Sequence, residues 1–136
     1  MKRSGKRVWI RILATVALLG LMVGAVYLKR VADYQRAVRE IVIEEVSARG
    51  LPDGSYVGEC DVGLIRARVE VTVRGGAIAD IEILEHKNGR GQPAERVVED
   101  ILSQQRIDVD GISGATNSST VLKKAVEEAL EGAGPG

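Results

Sequence analysis

Residues 64–74 alternate without a slip. Ile65, Ala67, Val69, Val71 and Val73 fall on one side, and Arg66, Arg68, Glu70, Thr72 and Arg74 on the other. A period of two belongs to a β-strand with one face buried and one face wet; a helix cannot present it. Gly75-Gly76 supplies a tight hairpin turn, and residues 77–85 return as the partner strand with Ile81 and Ile83 inward. Residues 56–61 are a further candidate strand. A polar loop over 85–93 leads to a helix over 94–104, with Val97, Val98, Ile101 and Leu102 on one stripe. Residues 107–109 read as a short strand. Residues 121–130 read as a helix, with Val121, Leu122, Ala125, Val126, Ala129 and Leu130 on one stripe. The expected class is α+β, a small antiparallel sheet with helices packed on one face.

The chain before this domain has another character. Residues 1–8 are basic. Residues 9–28 are apolar except for Arg11, and 12–28 carry no charge, just enough helix to cross a bilayer core. Trp9 and Tyr27 suit the two interfaces, and Arg11 and Lys29 can snorkel outward. The reading is an N-terminal transmembrane helix with its basic tail in the cytoplasm and the domain outside. A cleaved signal peptide ending near Val23-Gly24-Ala25 is the competitor. Residues 29–50 are expected to form a helical stalk, since Val31, Tyr34, Val38, Ile41, Val42 and Val46 repeat at helical steps. It either packs on the domain or pairs as a short coil. Gly50 and Pro52 stop it. The domain proper is 51–131, and 132–136 reads as a flexible tail.

Composition removes several functions. Residues 1–50 hold ten Lys/Arg against four Asp/Glu, a balance of +6; residues 51–136 hold nine against fifteen, a balance of −6. The basic half is the membrane end and the domain is acidic, so nucleic acid is not an expected partner. Cys60 is the lone cysteine and His86 the lone histidine. No disulfide, haem-attachment motif or iron–sulfur ligand set can form within the chain. Electron transfer here would need an organic cofactor. No paired carboxylates or nucleophile–base pair suggest a hydrolase, so no catalytic residue and no metal ligand is assigned. Cys60 reads as a small buried apolar residue, and Glu127 and Glu128 as a solvated helix face.

The chemistry concentrates in residues 110–120, Asp-Gly-Ile-Ser-Gly-Ala-Thr-Asn-Ser-Ser-Thr. Five hydroxyls, those of Ser113, Thr116, Ser118, Ser119 and Thr120, precede a helix whose first charges are Lys123 and Lys124. Unpaired N–H groups and the helix dipole suit an anion at such a start, and Gly114 would allow close approach. The alternative is an ordinary capped helix with Asn117 or Ser118 as N-cap.

Asp110, Ser113, Gly114, Ala115 and Thr116 fill every fixed position of the pattern Asp-x-x-Ser/Thr-Gly-Ala-Thr. This resembles the flavinylation motif of FMN-binding domains, such as those of sodium-pumping quinone reductases and Rnf-type complexes. The likeness runs over roughly 53–130 and includes the opening strand from Asp53, His86, Gly91 and Gln105. It implies FMN held by a phosphoester to Thr116. A flavin transferase that consumes FAD with Mg would install it. Asp110, Gly111, Ile112, Ser113, Gly114, Ala115, Asn117, Ser118 and Ser119 would line the site. Asp110 would accept loop N–H groups or bind a divalent ion brought by the transferase; a plain turn aspartate is the alternative. Tyr56, the one aromatic residue after Tyr34, is a candidate to pack on the flavin ring or else fills the core edge. His86 either contacts the flavin or is solvated. The implied protein is a membrane-anchored flavoprotein that relays electrons between redox partner proteins or a membrane quinone pathway, more a carrier than an enzyme. The rival readings are a non-redox assembly module and an FMN-dependent reductase subunit for a small acceptor.

Overall fold

The computed structural model describes residues 2–87 and 92–133. It divides into two compact units, residues 1–33 and 34–136. The first unit is helical and belongs to α1, which runs Lys2–Glu40. This helix is long and apolar enough to cross a membrane. Its apolar side chains, among them Trp9, Leu13, Leu21 and Leu28, are exposed, which suits lipid rather than a protein core.

The second unit is built on a three-stranded antiparallel sheet in the order β1 (Gly54–Asp61), β2 (Arg66–Arg74), β3 (Ala77–Lys87). The period-two stretch becomes the central strand, and Ala67, Val69, Val71 and Val73 are fully buried. Four inward rows cross the sheet: Gly54–Val73–Ile78, Tyr56–Val71–Ile81, Gly58–Val69–Ile83 and Cys60–Ala67–His86. A 3-10 turn, Gln92–Arg96, leads into α2, Val97–Gln104. The last helix is α3, Thr116–Ala133. The expected α+β class and the N-terminal apolar helix are both present.

Several local expectations are corrected. The stalk helix stops at Glu40, and 41–48 carry no regular structure. Ile41, Val42 and Ile43 are three β-branched residues in a row, which lowers helix propensity where tertiary bonds compete. Residues 107–109 bury Ile107 and Val109 but form no strand. Val109 N turns back to Ile107 O at 2.8 Å, and the amides of Ile107 and Asp108 go to a side chain, as described below. β3 continues to Lys87, so residues 85–87 of the expected loop are strand. Residues 88–91 of that expected loop, Gly91 among them, lie outside the described residues. The flexible tail is helical at Gly132 and Ala133, and 134–136 lie outside the described residues.

Gln105 closes α2. Its backbone is left-handed at φ 53°, and its N–H donates to Ile101 O. Its side-chain amide then pairs with β3 as a strand would. Oε1 accepts from Ile78 N at 2.9 Å, and Nε2 donates to Ile78 O at 2.9 Å and Leu102 O at 2.8 Å. α2 therefore runs from the His86 end of the sheet, where Glu95 lies 3.4 Å from His86 Nδ1, to the Ile78 end.

Candidate functional site

The chain leaves Gln105 and travels back along α3 to its start. Three side chains lace this return. Glu45 accepts from Ile107 N at 3.0 Å and Asp108 N at 2.7 Å. Lys123 Nζ donates to Asp108 Oδ1 and Val109 O, each at 3.0 Å. Ser119 Oγ accepts from Ile112 N at 3.0 Å and donates to Ala115 O at 2.8 Å. The contacts descend from residue 123 of α3 to 119 as the chain rises from 108 to 112. α3 therefore begins at the end of the sheet opposite the Gln105–Ile78 pair, the end that carries Cys60 and His86.

The loop ends in a tight turn. Ala115 N donates to Ile112 O at 2.9 Å across Ser113 and Gly114. Gly114 sits at φ +80°, the left-handed backbone that a type II turn demands at its third residue. The next residue, Thr116, opens α3. Ser119 N is bonded to Ala115 O, so the amides of Thr116, Asn117 and Ser118 precede the first intrahelical bond. The first turn holds no acidic residue.

The five hydroxyls separate clearly. Ser118 and Ser119 are buried at 3% and 0% exposure. Thr120 is half-buried and donates to Thr116 O at 3.0 Å. Ser113 and Thr116 are exposed, as are Asp110, Gly111 and Gly114. Ile112 is half-buried and Ala115 buried against the core. Asn117 and Ser118 lie within α3, so neither is its N-cap. Asn117 Nδ2 instead donates to Tyr34 OH at 3.4 Å.

The two candidates from the sheet lie apart. His86 shares the row nearest the start of α3, with its side chain only 2% exposed beside Glu95. Tyr56 lies four residues from Cys60 along β1, roughly 13 Å at strand rise. It packs on the core edge and donates to Pro52 O at 2.6 Å. The structure brings His86 to the motif's end of the sheet and leaves Tyr56 toward the other.

Two charged residues of α3 are buried, Glu127 against expectation. Lys123 is buried and committed to Asp108 and Val109, so it does not face the loop apex. Glu127 is fully buried rather than solvated; it accepts from Glu44 N and Lys124 Nζ. That bond to Glu127 chiefly holds the Lys124 ammonium pKa above its usual value. Lys124 also donates to Val42 O at 3.3 Å. Glu45, Ser119 and Glu127 thus shape the site in ways sequence reasoning missed. The β-branched run at 41–43 is the one signal that the preceding helix would end and free Glu45 to reach across.

The arrangement suits an anionic group. An exposed threonine is the first residue of a helix, beside amides that precede the first intrahelical bond and a turn with Gly114 at its third residue. The FMN-binding domain family matches residues 63–131, half of the chain. The chain belongs to the FMN-binding domain family. An FMN-binding domain preceded by a helix long enough to span a bilayer is the plan of a membrane-anchored flavoprotein.

Proposed function

We propose that this protein carries FMN covalently on Thr116 and relays electrons at a membrane surface. The observation that carries the reading is the sorting of hydroxyls: of the five in residues 110–120 only Ser113 and Thr116 belong to exposed residues, and Thr116 alone opens α3. In the attachment step Thr116 Oγ1 forms a bond to the FMN phosphorus of FAD. The pyrophosphate P–O bond breaks, AMP leaves, and the hydroxyl proton passes to a base of the flavin transferase, which uses Mg. FMN, when bound, supplies reversible one- and two-electron chemistry.

The chain's own residues hold and orient. The amides of Thr116, Asn117 and Ser118 would meet the phosphate charge at the positive end of α3. Gly114 gives the transferase access to the apex, and Ser119 fixes the turn from beneath. Asp110 stands exposed at the loop entrance, where a divalent ion brought by the transferase would meet it. His86 lies on the sheet row nearer the start of α3, and Tyr56 on a row farther from it. The residue plan is a basic cytoplasmic tail at 1–8, an anchor at 9–28 and a linker at 29–50. The flavin domain then lies outside the cytoplasm. Its electrons come from and go to redox partner proteins or a membrane quinone pathway.

Co-expression with a flavin transferase tests the attachment. The wild type should show a fluorescent flavin band after denaturing electrophoresis. Thr116→Ala should lose the band while its circular dichroism is unchanged, since one exposed hydroxyl contributes little to the fold. Persistence of the band in Thr116→Ala, or its loss in Ser118→Ala alone, would contradict the assignment.

A further inference from the structure

The segment that joins the anchor helix to the domain lies wholly outside residues 63–131, which the family accounts for. In this chain it is nonetheless bonded into the acceptor loop. The Glu45 carboxylate takes both free amides at the start of the return, Ile107 N at 3.0 Å and Asp108 N at 2.7 Å. The segment is itself held to α3 twice, through Glu44 N on Glu127 and Val42 O on Lys124. Ile43, Val46 and Ala48 pack on the core. From Glu45 the lacing passes to Lys123 and then to Ser119, the residue that sets the turn before Thr116.

A carboxylate bound to two adjacent backbone amides does what a neighbouring strand would do for residues 107–108. It satisfies polar groups beside the buried Ile107 and fixes where the return begins. Of the three lacing side chains, Glu45 alone comes from outside the family region. We propose that Glu45 is a positioning residue for flavin attachment, and that the linker at 41–48 is a working part of the acceptor site rather than a passive tether. The inference rests on Thr116 as acceptor, and what it adds is that the loop is presented correctly only when the linker is docked.

The test uses the full-length protein in detergent, purified flavin transferase, FAD and Mg. Glu45→Ala removes both acceptors, and Glu45→Gln keeps the length with one acceptor oxygen. Glu82→Ala, an exposed carboxylate on the outer face of β3, is the control. The transfer rate should fall roughly tenfold or more in Glu45→Ala, with the loss in kcat, and by less in Glu45→Gln. Glu82→Ala should transfer at the wild-type rate. Amide exchange of the flavin-free proteins gives a second reading. Protection should fall over 106–115 in the Glu45 variants and stay unchanged over β2. Wild-type rates and wild-type exchange in Glu45→Ala would overturn the proposal. So would a loss of protection spread evenly over β2 and the loop in both variants, which assigns Glu45 to stability alone. If the wild type accepts no flavin, Thr116 as acceptor fails, and the exchange pattern still decides whether Glu45 positions the loop.

Discussion

Cys60 shows how one residue's surroundings decide its chemistry. It lies half-buried on the inward face of β1, and loss of hydration is the chief reason its thiol pKa is pushed up to about 11 from 9.0. Lys124 pulls the other way, more weakly. At pH 8 the thiolate fraction should be about a hundredfold below that of a free cysteine, so iodoacetamide should label the folded protein slowly and the denatured protein fast. Equal rates would contradict the burial. The linkage has a definite sign. The folded pKa is raised, so the thiol's contribution to stability is complete below 9.0 and is lost as pH rises through about 11. Denaturation midpoints should drop over that window in the wild type and less in Cys60→Ala. The lone cysteine is half-buried against the core rather than fully inside it.

At the scale of elements, α3 rests on β1 through Gly58. A Cβ at that position would lie 2.0 Å from Ala125 O and 2.4 Å from Ala129 N, both backbone atoms. Neither can yield without moving the helix. Gly58→Ala should therefore cost about 3 kcal/mol or more, read as a lower denaturant midpoint, with α3 displaced from the sheet. A midpoint unchanged from the wild type would mean that the helix–strand contact is looser than described. The strands were legible because Val69, Val71 and Val73 alternate with charged and polar residues and Gly75-Gly76 marks the turn. α3 was legible from its apolar stripe. The irregular pieces were not. Residues 41–48 keep an apolar rhythm that suits a helix, yet their backbone bonds are drawn away by Lys124 and Glu127. Residues 107–109 have the composition of a strand, but their partners are the side chains of Glu45 and Lys123. Such bonds join positions 14 to 83 residues apart and leave no local pattern.

For the whole molecule, the chain joins a helix long and apolar enough to cross a membrane to an FMN-binding domain. The motif itself was readable, since its seven residues need no tertiary information. Which hydroxyl of residues 110–120 faces out was not, because Thr116, Ser118 and Ser119 differ only in where α3 begins and which side it buries. That choice determines the central claim. The most direct measurement is the mass of the intact protein purified from its native membrane, followed by peptide mapping under denaturing conditions. The account predicts a gain equal to FMN less one water, carried by the peptide that contains Thr116 and located on that residue. An unmodified mass, or an adduct on Ser113, Ser118, Ser119 or Thr120, would contradict it.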